Sequence, residues 1–138
     1  MKMISSDLLR YSKQIILKQV GTLGQKKIAS AKVLIVGIGG LGCPVALYLS
    51  NLGIRNIGIV DHDIVDFSNL NRQVLFNPKD IGKFKVIQAK KFLQKINKKI
   101  KINTYKLKII KKNIQNILGK YDVICDCSDN FTTRYLLN

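Results

Sequence analysis

Lys32-Val33-Leu34-Ile35-Val36-Gly37-Ile38-Gly39-Gly40-Leu41-Gly42 is a β-branched apolar run that ends on a glycine loop. The run does not alternate polar with apolar, so it predicts a strand covered on both faces. Gly37 to Gly42 fit G-x-G-x-x-G between that strand and a predicted helix. Glycines there allow a tight turn and bring backbone N–H groups and a helix N-terminus close to phosphate. Leu41, Val45, Leu49 and Leu52 then recur at helical spacing, with Gly53 as the predicted stop. A second strand, Asn56 to Val60, ends at Asp61, about 20 residues beyond the loop, where a carboxylate can accept from a ribose hydroxyl.

Upstream, Ser5-Ser6-Asp7 predicts a helix start, and Leu8, Tyr11, Ile15 and Ile16 fall on one face up to about Lys18. A short helix over Gln25 to Ala29 follows. Residues 1–30 therefore read as a helical arm and 31–138 as a nucleotide-binding α/β domain. Downstream, Val86, Ala89, Leu93 and Ile96 line one face of a helix over Lys83 to Ile96, with lysines opposite. Ile100, Ile102 and Thr104 alternate as a strand, Asn113 to Leu118 is a short helix, and Tyr121 to Cys125 is an apolar strand. This order predicts a Rossmann-like α/β fold, a mostly parallel sheet with helices on both faces. Its ligand would bind at the carboxyl ends of the strands.

The 138-residue chain carries a formal net charge of +16. Clustered lysines bind nucleic acid or anionic membranes by releasing counterions. Here the basicity is nearly all lysine. Arg10, Arg55, Arg72 and Arg134 are the only arginines, and glutamate is absent. The lysines between Lys79 and Lys120 read as solvated faces without the aromatic interleaving of a single-strand binder, so no nucleic-acid partner is expected. No apolar run nears the ~20 residues of a membrane span, and no membrane partner is expected. Cys43, Cys125 and Cys127 are spaced for neither a disulfide framework nor a zinc half-site. The expectation is a soluble protein of the reducing cytoplasm.

The glycine loop and Asp61 serve NAD and ATP equally well. The stretch from Asp61 to Gln73, Asp-His-Asp-Ile-Val-Asp-Phe-Ser-Asn-Leu-Asn-Arg-Gln, is what distinguishes them. Adenylation of a carboxylate needs no general base, because the nucleophile is already ionised. It does need positive charge where pyrophosphate leaves. Arg72 offers a planar fork for phosphate oxygens, and Asn69 and Gln73 can hydrogen-bond to nucleotide. The plainer reading of Asn69, Arg72 and Gln73 is a polar helix cap on the surface. Likewise Lys85 reads as one more solvated lysine, Asp129 as an N-cap for a helix near Phe131, and His62 as a surface bystander. The cysteines read as small buried residues.

The motifs R-Y-S-K-Q-I at Arg10 to Ile15, G-x-G-G-L-G-C at Gly37 to Cys43, D-x-D at Asp61 to Asp63, S-N-L-x-R-Q at Ser68 to Gln73, G-x-x-K-V at Gly82 to Val86 and D-C-S-D-N at Asp126 to Asn130 occur in one chain. In this order and spacing they resemble the ThiF/MoeB/HesA family of sulfur-carrier-protein adenylyltransferases, with a lean toward ThiF. The resemblance implies ATP-dependent adenylation of the C-terminal glycine carboxylate of a small ubiquitin-like sulfur-carrier protein, in the thiamine or molybdopterin pathway. It implies that Gly37, Gly39, Gly40 and Gly42 form the phosphate loop, that Asp61 binds ribose, and that Ser68, Asn69, Arg72 and Gln73 contact ATP. Lys85 would neutralise phosphate charge, and Asp129 would hold Mg²⁺ with Asn130 beside it. Arg10 would reach the ATP of a neighbouring subunit, which implies a homodimer. The catalytic set is then Arg72, Lys85, Asp129 and Arg10.

The chain stops at Asn138, short of the length this resemblance implies, and reads as the amino-terminal half of such an enzyme. The family's paired C-x-x-C ligands for structural Zn²⁺ are absent from these residues. Two other functions stay open on sequence. One is the cofactor domain of an NAD-dependent oxidoreductase, and the other is a non-catalytic remnant that binds nucleotide or a partner.

Overall fold

The computed structural model describes residues 4–138. Three helices lead in: α1 (Ser5–Arg10), α2 (Ser12–Ile15) and α3 (Gly21–Ser30). Strand and helix then alternate as β1 (Lys32–Val36), α4 (Gly42–Leu52), β2 (Asn56–Val60), α5 (Lys85–Ile96), β3 (Lys101–Tyr105), α6 (Lys111–Leu118), β4 (Val123–Asp126) and α7 (Phe131–Leu137). The four strands form one parallel sheet in the order β3-β2-β1-β4. Val36 pairs with both Val60 and Asp126, so three strands end flush at one edge. β1 sends its neighbours to opposite sides, which makes the crevice beyond its carboxyl end the topological switch point.

Both faces of the sheet are covered, as the unbroken apolar run of β1 requires. On one face Val33, Ile35, Ile57 and Ile59 pack against Ala46 of α4 and Val86, Ala89 and Leu93 of α5. On the other, Leu34, Val36 and Val60 pack against Ile114 and Ile117 of α6, with Leu136 and Leu137 of α7 alongside. Each fully buried aliphatic side chain contributes about 1.5–3 kcal/mol of transfer free energy. Among the described residues no helix is long and apolar enough to cross a membrane.

Two predicted faces are corrected. α4 turns Gly42, Cys43, Ala46 and Ser50 inward, while Leu41 is 62% exposed just before the helix. Small residues let the helix lie close to the sheet, and the leucines sit on its flanks. The arm is not one helix running to Lys18, and its buried positions include polar ones. Asp7 and Tyr11 are buried, whereas Leu8 and Ile16 are exposed. The carboxylate of Asp7 forms ion pairs with Arg55 at 2.9 Å and Lys99 at 2.7 Å, and the amide of Gln25 donates to the Leu52 carbonyl at 3.0 Å. Charge pairing and hydrogen bonding fix this arm, so its apolar periodicity misleads. Gly53 closes α4 in the left-handed region with φ +103°, and a Cβ there would come within 2.9 Å of the Tyr11 ring.

Candidate active site

The site is built at the flush strand ends. Gly37 has φ +90° and donates its N–H to the Val60 carbonyl at 2.8 Å. α4 begins at Gly42, where any Cβ would collide with the Gly37 carbonyl oxygen. Asp61 ties the next loop to this one. Its Oδ2 accepts from the Ile38 N–H and its Oδ1 from the Asp63 N–H, both at 2.8 Å. A carboxylate has about four acceptor positions, so capacity for a ribose hydroxyl remains.

The segment after Asp61 is fixed by its own polar side chains. Asp66 accepts from the Ser68 N–H at 2.8 Å and its hydroxyl at 2.6 Å, while Asn69 Oδ1 accepts from the Asp66 N–H at 3.2 Å. The Ser68 hydroxyl and N–H hold the Asp66 carboxyl below the usual carboxylate range. The cap reading therefore holds for Asn69, whose side-chain oxygen completes the capping box of Asp66, and not for Gln73, which is buried. Arg72 Nη1 donates to the Ser68 carbonyl and to Asn71 Oδ1, both at 3.0 Å. Gln73 is 3% exposed, and its Oε1 has no hydrogen-bond partner.

Lys85 is not a solvated lysine. It is 5% exposed, and its Nζ lies 2.9 Å from Asp63 Oδ2. The cap of α7 is Asn130, whose Oδ1 accepts from the Thr133 N–H at 2.9 Å. Asp129 is therefore not the cap. It is exposed, with no hydrogen bond or ion pair to another described residue.

A cleft of about 830 Å³ gathers these groups: Gly37, Gly39, Gly40, Asp61, Asn69, Arg72, Gln73, Lys85, Asp129 and Asn130 all line it. Gly42 and Ser68 do not line it; one starts the helix and the other braces Arg72. Arg10 lies elsewhere. Its Nη2 donates to the Ile96 carbonyl at 3.3 Å, and it lines a separate hollow of about 300 Å³ beside α1. Lys108, Arg134 and His62 also line the cleft and were missed as site residues. Arg134 carried a signal, as a rare arginine just beyond Asp129. Nothing in the sequence separates Lys108 from the other lysines.

Arg72, Lys85, Lys108 and Arg134 line one cleft with the glycine loop, an arrangement suited to a polyanion. Cys127 lines the cleft, but burial and the nearby Cys125 and Asp126 push its thiol up to about 11, and burial pushes Cys43 up to about 11. Asp61, His62 and Asp63 bring ligand atoms within 4.8 Å of one another. Their carboxylates already bind backbone N–H groups and Lys85, so this cluster connects loops. Asp129 places a further, exposed carboxylate in the lining of the same cleft.

The profile of the ThiF family matches residues 11–138. The chain belongs to the ThiF family. Among its relatives, the adenylyltransferase and sulfurtransferase UBA4 of Debaryomyces hansenii is 47% identical over 135 residues, covering 97% of this chain and 30% of that protein. The sulfur carrier protein adenylyltransferase of Thermus thermophilus is 44% identical over 138 residues, covering 100% of this chain and 51% of that protein. A crystal structure of E. coli MccB with AMPCPP and MccA has a TM-score of 0.84 at 30% identity, covering 99% of this chain and 41% of that one. This ThiF-family chain thus spans about half, or less, of the length of the curated relatives it matches.

Proposed function

We propose that this chain carries the ATP site of an adenylyltransferase that activates the C-terminal glycine carboxylate of a small ubiquitin-like sulfur-carrier protein. The observation that carries the reading is the convergence of the glycine loop, Arg72 and buried Lys85 on one cleft. The names of the relatives and the AMPCPP and MccA bound to MccB support the reaction and both substrates.

In this reading the carrier's carboxylate attacks the α-phosphorus, the bond to the bridging oxygen breaks, and pyrophosphate leaves with the negative charge. The chain's task is to hold the triphosphate and stabilise that growing charge. The Gly37–Gly40 loop and Lys85 bind phosphate oxygens, Arg72 follows the departing pyrophosphate, and Asp61 and Asn69 orient the nucleoside. Asp129, with Asn130 beside it, would hold Mg²⁺, which supplies further neutralisation of triphosphate charge. Arg10 can join such a site only from a second copy, so a homodimer belongs to the same proposal. So does the division into an arm over 1–30 and a nucleotide-binding unit over 31–138.

Thermal melting with ATP plus Mg²⁺ and, separately, with NAD tests the reading. Ligand at about 100 times its dissociation constant adds about 2.7 kcal/mol of stability, so a melting shift with ATP and none with NAD is the expected result. A shift with NAD alone would replace the proposal with an oxidoreductase cofactor domain. No shift with either would leave a partner-binding remnant.

A further inference from the structure

Lys85 occupies a position that ordinarily rejects a lysine. It is the first residue of α5, where the helix dipole is positive, and it is 5% exposed. A buried ammonium persists only where a counter-charge meets it. Asp63 is its sole ion-pair partner among the described residues, Oδ2 to Nζ at 2.9 Å.

The backbone holds the same two residues together. The Lys85 N–H donates to the Asp63 carbonyl at 3.0 Å. Val65 N–H donates to Lys83 O at 2.8 Å and Gly82 N–H to Val65 O at 2.9 Å, stitching the segment after β2 to the entrance of α5. Asp63 is pinned in turn through Asp61, whose two oxygens accept from the Asp63 and Ile38 N–H groups. A hydrogen-bonded path therefore runs from the glycine loop through both aspartates to the ammonium. The Asp63 side chain is 49% exposed against 7% for that of Lys85. A solvated carboxylate gives up an ion pair at lower cost than a buried one, because water replaces the lost partner.

We infer that Asp63 is a positioning residue, which holds the Lys85 ammonium at the cleft wall and yields it to a phosphate oxygen when nucleotide binds. This rests on the reading of the cleft as an ATP site. Asp63 itself touches no reacting atom. Its carboxylate holds the buried ammonium in place before the polyanion arrives, so that little reorganisation is needed at that moment.

Amine acylation with an N-hydroxysuccinimide ester, read at each lysine by peptide mass spectrometry, tests the inference. Without nucleotide, Lys85 in D63N is expected to label roughly tenfold faster than in the wild type, the factor given by loss of about 1.4 kcal/mol of pairing. The other lysines should label unchanged. D63E restores the carboxylate and should restore protection, whereas a merely structural role for the aspartate would not be rescued by charge. In the wild type, ATP with Mg²⁺ is expected to protect Lys85 further. Equal labelling of Lys85 in wild type and a folded D63N overturns the inference, whatever ATP does. Should D63N fail to fold, D63E decides alone, and loss of Lys85 protection there overturns it. If D63N unmasks Lys85 but ATP protects neither protein, the pairing is supported while the ATP reading, and the hand-over built on it, fall.

Discussion

Arg72 lies along Gly40: a Cβ on that glycine would stand 3.4 Å from Arg72 Cδ and 3.5 Å from its Cγ. The side chain is thereby carried across the glycine loop, and its Nη1 is anchored by the Ser68 carbonyl and Asn71 Oδ1. A guanidinium fixed in this way costs no ordering when charge develops on the leaving pyrophosphate. If the proposed reaction holds, Arg72→Ala in a protein extended to the length of its ThiF-family relatives is expected to slow carrier-dependent ATP–pyrophosphate exchange by roughly 100-fold, about 3 kcal/mol, with a much smaller change in ATP affinity. Exchange at the wild-type rate would remove Arg72 from the site.

Gly42 tests the loop as architecture. The atom that blocks a side chain there is the Gly37 carbonyl oxygen, part of the backbone that also meets the Val60 carbonyl, so it has little room to yield. Gly42→Ala is expected to destabilise the fold by about 1–3 kcal/mol, the usual penalty of forcing a methyl into a filled space. Urea unfolding should show a lower midpoint at an unchanged slope. A wild-type midpoint would mean that α4 can shift without loss.

The sheet was legible because its strands are short, β-branched and bounded by glycine or polar turns. β1 and β2 fall where the residues predict them, at Lys32–Val36 and Asn56–Val60. Most of the cleft was legible too, since loop, Asp61 and the segment after it lie close in sequence and the parallel register brings residues 127–130 to the same edge. Three features were not. The arm is held by Asp7 and its two cations, and no periodicity reports an ion pair between residues far apart in the chain. Lys85 was singled out by its motif, but its burial and ion pair were not visible, because they depend on Asp63 folding back over the start of α5. The cap passed from Asp129 to Asn130, a one-residue choice that either side chain satisfies locally.

Asp7 sets the acid sensitivity of the arm. Burial alone would raise its carboxyl, but the hydrogen bond from Lys99, the Ile4 N–H and the charges of Arg55 and Lys99 outweigh burial and hold it below its ordinary value of 3.8. A carboxylate depressed in the folded state stabilises fully above its unfolded pKa, and that stability is lost as pH falls through the folded value. Wild-type stability should therefore hold down to about pH 4 and decline below it. Asp7→Asn removes the buried carboxylate that pairs with Arg55 and Lys99, both partly solvated, and is expected to cost about 1–3 kcal/mol at pH 7. The variant's stability should also fall less steeply below pH 4. Parallel acid curves for the two proteins would assign the sensitivity to another carboxylate.

Gln73 separates stability from ligand binding. Its side chain is almost fully buried, lines the cleft, and leaves Oε1 without a donor. A buried acceptor left unmade costs about 1–3 kcal/mol, a cost a protein keeps where a ligand recovers it. Gln73→Met preserves length and near-equal volume while removing both polar atoms. The ligand-free protein is expected to gain about 1 kcal/mol, a rise of roughly 4 °C in Tm. The ATP-induced shift in Tm should shrink at the same time, because the Gln73 amide nitrogen, 3.8 Å from where a Cβ on Gly39 would sit, is placed beside the glycine loop. A gain in stability with an undiminished ATP shift would show that Gln73 takes no part in binding. A loss of stability would show that the amide braces the loop in the absence of ligand, and that its lone oxygen is a tolerated cost of that bracing.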